Sequence, residues 1–240
     1  LNSRVDKDIA RQVADKLAGI YSRAKINIGI GRKDIESSFP FHPFVLDVLT
    51  KRYASHNRYQ NTRGLLPLLA MALSRSRGDI LLLSDLSLGD EEIVKEFKKV
   101  ESELTSIIGE SDVDYISKLS VSDESEALLV GALSAVFLRS ISDGPGGTVD
   151  ELVVDCLRPD SNYNEVKSQI LKLKDLPHVH ERDGRLIVST EVNPANVVAL
   201  EAETNPNIKD KALEEILNSL KRLLKRRLGE VYVYELIKNG

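Results

Sequence analysis

The chain has a single cysteine, Cys156, in 240 residues, so no intrachain disulfide can form. Cys156 sits among Val153, Val154 and Leu157 and reads as a small buried hydrophobe rather than a nucleophile. No apolar run approaches the roughly 18 residues of a membrane span, and no signal peptide is visible, so the expected location is cytoplasmic. Charge of one sign is also scarce. Lys and Arg number 33 against 37 Asp and Glu, a net charge of −4. The pI is about 5.7, and no global basic field announces nucleic acid. The phosphate-cradling loop G-x-x-x-x-G-K-[ST] does not occur. Ile28-Gly29-Ile30-Gly31 is a poor substitute, because Asp34 stands at the third glycine and no βαβ unit surrounds it. His178 and His180 share one strand face, but no third metal ligand lies near them in sequence. No Ser/His/Asp, Cys/His or paired-carboxylate arrangement stands out, so a stand-alone enzyme is the weakest reading.

What remains is an ordinary globular composition, 42% hydrophobic and 29% charged, in a length that suits one large domain or two small ones. The organising stretch runs from Phe39 to Ala70. Pro43 presets the first turn of a helix whose Val45, Leu46, Leu49 and Tyr53 share one apolar face. Ala54 to Thr62, with Asn57 and Asn61, reads as a polar turn. Pro67 argues for regular helix from Gly64 or Leu65 onward, which leaves Arg63 just ahead of an apolar rod. Taken alone, Arg63 reads as a surface arginine paired to a carboxylate, and His42 as a packed or capping histidine.

FPFHPFVLDVL followed by NRYQNTRGLLPLLA resembles the lid region of a family of large prokaryotic AAA+-like ATPases. These are relatives of origin-recognition and conflict-type ATPases that often carry a winged helix after the lid. Phe39, Pro40, Phe41, His42 and Pro43 match the family's pattern, as do Tyr59, Gln60, Thr62, Arg63 and Gly64. Asn61 stands where the family usually has an arginine. The resemblance implies that Arg63 is a sensor-2-type arginine reaching the nucleotide phosphates, with Gln60 and Arg58 beside it. A guanidinium suits that role because it stays charged and forks onto phosphate oxygens. The chain begins at Leu1 inside a helical pattern and stops just after the strand-like EVYVYELI, so it is expected to be part of a longer protein.

Along the chain, residues 5–25 predict an amphipathic helix and 26–38 a loop. Ile80 to Leu83 reads as a strand or a docking segment. Asp90 caps an amphipathic helix to Ile108, a short helix is expected over 111–119, and Ser122 caps another to about Ser140. That last helix is apolar nearly all round and should lie at the centre of the helical part. Asp143-Gly-Pro-Gly-Gly147 is the best internal boundary. Beyond it, Thr148 and Glu151 open one helix, and Asn162 and Glu165 open another that buries Val166, Ile170 and Leu173. A hairpin turns at Asp183-Gly184. Helices followed by a two-stranded hairpin outline a winged helix. Its solvent face would offer Asn164, Lys167, Lys172 and Lys174, with Arg182 and Arg185 on the wing, to nucleic acid. Six cations against eight carboxylates over 148–190, a net charge of −2, restrain that reading, and a packing or interaction role stands beside it. A final helix opens at Asn205-Pro206. Its apolar face runs through Leu213, Ile216, Leu217, Leu220, Leu223, Leu224 and Leu228. Its last turns cluster Lys221, Arg222, Lys225, Arg226 and Arg227, placed for the helix dipole or for a polyanion.

The expected fold class is mainly α: a helical AAA+-type lid bundle followed by a winged-helix domain with a small β-hairpin. The expected divisions are a leading helix and loop (1–38), a lid-like domain (39–142), a winged-helix domain (143–203), and a basic helix with a terminal strand (204–240). The expected function is the non-catalytic lid and winged-helix region of an AAA+-like ATPase. It would sense nucleotide through Arg63 and couple the ATP state to a distal interaction domain. ATP with Mg would sit in the parent protein's upstream nucleotide-binding domain, with none bound tightly here and no hydrolysis by this chain alone. DNA or RNA and further copies of the protein are the other partners considered, and no membrane is expected. The alternative is a stand-alone winged-helix module that binds nucleic acid or protein.

Overall fold

The computed structural model describes residues 3–54, 62–76, 78–120, 122–204 and 206–228. It divides into two units, Leu1–Asn193 and Pro194–Gly240. The expected terminal strand over 230–237 and the polar turn at Asn57 and Asn61 lie outside the described residues, as does the Asn205 cap.

The first unit is built around α8 (Asp123–Ser140). Ser122 caps it by accepting from the Ser125 amide at 3.2 Å, and every residue from Leu129 to Arg139 is buried. A helix apolar on all sides must be surrounded on all sides. Around α8 stand the segment Leu83–Asp85, the π turn Leu49–Tyr53, α7 (Asp114–Leu119), α9 (Val149–Cys156), α10 (Tyr163–Lys172) and the sheet. Gly131 makes one of these approaches possible, because a Cβ there would stand 3.0 Å from the Ser84 carbonyl oxygen. Ser134, fully buried in the middle of α8, is satisfied at both ends of its hydroxyl. It donates to the Val130 carbonyl at 2.7 Å and accepts from the Leu88 amide at 2.8 Å.

α1 (Ser3–Ala24) buries Val13, Ala14, Leu17 and Tyr21 and packs on α2 (Arg32–Ser38). The sequence predicts a loop over 26–38, and the structure corrects this. α2 has seven residues and one buried side chain, Ile35, so it is too short to declare a period. The Asp34 carboxylate fastens its start by accepting from the Gly31 amide at 2.8 Å.

α3 (Pro43–Val48) runs directly into the π turn and buries Val45, Val48, Leu49 and Tyr53, while Leu46 is 37% exposed. Ile80 to Leu83 is fully interior. It forms one parallel bridge to the aromatic motif, with the His42 amide on the Leu81 carbonyl at 2.9 Å and the Leu81 amide on the Pro40 carbonyl at 2.7 Å. α4 (Thr62–Arg75) starts ahead of the expected Gly64 and carries Pro67 inside. The single ladder bond that Pro67 cannot donate is offset by burial of Leu68, Leu69 and Ala72.

The expected helix from Asp90 to Ile108 is two helices, α5 (Glu91–Val100) and α6 (Ser102–Ile108), broken at Glu101. Asp90 caps α5 through the amides of Glu92 and Ile93. The break turns the buried face from Ile93, Phe97 and Val100 to Thr105 and Ile108. A π turn, Gly109–Val113, then carries the chain on into α7.

After α8, Gly146 turns the chain at φ +72°. A Cβ there would lie 2.0 Å from the Leu186 carbonyl oxygen, so both the conformation and the space demand glycine. β1 (Gly147–Thr148) pairs antiparallel with β3 (Arg185–Val188), which pairs antiparallel with β2 (Val179–Arg182), giving the order β1-β3-β2. Asp183 (φ 50°) and Gly184 (φ 73°) make the two-residue hairpin turn that the sequence predicts. The mainly helical class and the hairpin are therefore as expected, and β1 adds a third strand that the sequence did not predict.

The Asp143–Gly147 turn lies inside the first unit, and the division between units falls at Asn193/Pro194. The second unit pairs α11 (Pro194–Thr204) with α12 (Pro206–Leu228).

Candidate functional site

The Phe39–Pro43 motif is a structural fastening. His42 is 1% exposed. Its Nδ1 accepts from the Phe44 amide at 3.2 Å and so caps α3, and its Nε2 lies 3.2 Å from the Tyr21 hydroxyl on α1. Burial first, and then the positive Arg139, lower its pKa to about 3. A neutral ring is what an acceptor at Nδ1 requires. Burial also raises the Tyr21 hydroxyl. Arg58, Gln60 and the Arg63 side chain lie outside the described residues, and the helix that carries Arg63 begins at Thr62.

α10 is capped by Asn162, whose side chain accepts from the Asn164 amide at 2.9 Å, and it turns Val166 and Ile170 inward. Its outer face exposes Asn164, Leu171 (43%) and Lys172. Arg182, at the end of β2, is exposed as well. The other three residues expected to meet nucleic acid are engaged within the protein. The Lys167 ammonium donates to the Tyr163 hydroxyl at 3.1 Å, and that bond raises its pKa. The Lys174 ammonium holds Glu181 at 2.7 Å. Arg185 donates to the Glu151 carboxylate at 2.6 Å and to the Gly146 carbonyl at 3.1 Å, tying β3 to the start of α9. Exposed Glu165, Asp175, Glu181 and Asp183 stand on the same elements. This face is mixed in charge and includes one exposed large apolar residue, Leu171.

No protein family, curated protein or solved structure matches this chain.

Three polar links that sequence reading missed, two buried and one half-buried, join the parts of the first unit. The Arg139 guanidinium forks onto the fully buried Asp155, with Nε to Oδ2 at 2.6 Å and Nη2 to Oδ1 at 3.0 Å. Its Cζ lies 4.6 Å from the Phe44 ring centroid and Nη1 lies 3.8 Å from Glu151. The Asp112 carboxylate in the π turn accepts from the His178 amide at 3.1 Å and lies 2.6 Å from His178 Nδ1. Burial raises Asp112, against the opposing pull of those bonds. Arg158, just past α9, holds Asp85 and reaches the Ile80 carbonyl at 3.4 Å. One signal was available: Arg139 and Asp155 are each a lone charge inside an apolar run, and two such charges are natural partners.

Asp112→Ala leaves the His178 amide and ring without their buried acceptor. It is expected to lower unfolding stability by about 2–3 kcal/mol in urea titration, and Asp112→Asn by less. Equal midpoints for Asp112→Ala and the parent chain would remove this link from the account.

An open groove of about 1240 Å³ lies between the 84–90 segment and the starts of α8 and α10. Its two arginines are already engaged, Arg75 with Asp90 (2.8 Å) and Glu92, and Arg158 with Asp85. Cys156 also lines the groove, and burial raises its thiol pKa well above the ordinary value. That leaves no thiolate for nucleophilic work at neutral pH. Among the described residues no three His, Cys, Asp or Glu side chains are gathered to hold a metal ion. No described helix is long and apolar enough to cross a membrane.

Proposed function

We propose that this chain is the lid and winged-helix region of an AAA+-like ATPase, and that its winged helix docks protein. The observation that carries this reading is the order α8–β1–α9–α10–β2–β3 with a β1-β3-β2 sheet, fused to a helical bundle through the shared α8. In this arrangement α10 takes the position from which a winged helix presents its outer face. That face carries Leu171 beside five cations, three of which are engaged within the protein, which favours a protein surface over a duplex. ATP and Mg belong to the upstream domain in this reading, and this chain contributes the Arg63 guanidinium.

The coupling follows from packing. Ser134 to Leu88, Arg158 to Asp85 and His178 to Asp112 clamp the two halves of the first unit around α8. A lid drawn toward nucleotide would carry the α10 face with it as one piece, without a hinge at Asp143–Gly147.

In the full-length parent protein, Arg63→Ala is expected to lower ATP turnover about tenfold or more, since one charge-assisted contact to the phosphates is lost. Unchanged turnover and unchanged nucleotide response would remove Arg63 from the site and the lid reading with it. Salt-sensitive duplex binding, lost when Lys167, Lys172 and Lys174 are replaced together by alanine, would replace the protein-docking reading with a nucleic-acid one.

A further inference from the structure

α12 is a 23-residue helix whose apolar stripe stays open beside its packing on α11. Leu213, Ile216, Leu217 and Leu220 are 58%, 57%, 39% and 47% exposed. At about 100° per residue these four fall within one arc of about 100°, and Leu213, Leu217 and Leu220 keep the four-then-three spacing of a two-helix seam.

The charges beside that stripe select its occupant. Glu214 and Lys221 are both exposed and lie two helical turns apart on the same flank. We propose that the stripe pairs with the same stripe of a second copy of this chain, antiparallel, about a two-fold axis between Leu217 and Leu220. An antiparallel pair brings like flanks together, so Glu214 of each copy meets Lys221 of the other, twice per dimer. Leu217 of each copy then meets Leu220 of the other across the seam. A parallel pair fails on the same residues. It sets the Lys221 flank against the Ile216 flank and brings the cation-rich stretch 221–227 of both copies to the same end of the pair. The antiparallel arrangement sends those cations to opposite ends and also opposes the two helix dipoles. This inference stands apart from the ATPase reading and is open to test without nucleotide.

Light scattering on the whole 240-residue chain at tens of micromolar should give twice the 26.7 kDa chain mass. Leu217→Asp, at a solvent-facing position, should give the monomer mass with an unchanged far-UV circular dichroism spectrum. Glu214→Lys and Lys221→Glu should each weaken dimerisation about tenfold, through two symmetry-related pairs. The double reversal should restore the dimer to within about twofold of the parent, because the pairing is swapped rather than lost. A chain that is monomeric at every concentration overturns the proposal. So does a dimer indifferent to Leu217→Asp, or a double reversal that binds no tighter than the single variants.

Discussion

Replacing Asp155 with alanine is expected to lower the free energy of unfolding by about 3–5 kcal/mol. Asp155 is fully buried on α9, and Arg139 on α8 has only 8% of its side chain exposed. Truncating the carboxylate leaves a guanidinium that cannot shed its proton, inside the protein, with the Glu151 carboxylate more distant at 3.8 Å and the Phe44 ring beside it. The reverse truncation should cost less. Burial already raises the Asp155 pKa, so a carboxyl group left alone by Arg139→Met can take up a proton and become neutral. The double variant, Arg139→Met with Asp155→Leu, should recover most of the loss, since the cost lies in the unpaired charge rather than in the missing pair. Urea unfolding of the parent chain and the three variants measures these differences. A loss below about 1 kcal/mol for Asp155→Ala would mean that the guanidinium finds water, and that the junction of α3, α8 and α9 is held by packing alone.

Acid should destabilise the fold through His42 well before the ordinary carboxylates titrate. The folded ring takes its proton only near pH 3, against an ordinary value of 6.5. His42 therefore contributes its full stability above pH 6.5 and loses it progressively as the pH falls toward 3. The whole contribution amounts to at most about 5 kcal/mol. Two causes set the shift, burial first and the charge of Arg139 second, so a variant that removes Arg139 should narrow the window. His42→Asn keeps an acceptor for the Phe44 amide and removes the titration. At pH 7 it should be about 1 kcal/mol less stable, having lost the contact to Tyr21. Between pH 6.5 and 4.5 its stability should fall much less than that of the parent chain. Parallel stability–pH curves for the two proteins would contradict the neutral cap.

The elements legible from sequence are those whose causes are local. Asp90, Ser122, Thr148 with Glu151, and Asn162 cap their helices through amides two or three residues away. Asp183-Gly184 sets its own hairpin. α8 announced its central place because no polar face was left to turn to solvent. The seven-residue α2 and α11 show no repeating apolar pattern, and apolar residues continue at helical spacing across Glu101, so neither helix nor the break was legible.

The candidate interaction face was half legible. Residue type and spacing place Asn164, Lys172 and Arg182 on an outer surface, where they are. They give no warning that Lys174 would hold Glu181 or that Arg185 would hold Glu151, since those pairings form only when hairpin and helices close on one another.

By itself, then, the amino-acid sequence determined the helical class, the caps, the hairpin and the central helix, all from interactions spanning a few residues. Tertiary structure alone decided which charges went inside. Asp155 meets a partner 16 residues away and Asp112 one 66 residues away, and a buried charge is stable only where distant chain segments deliver its counterpart.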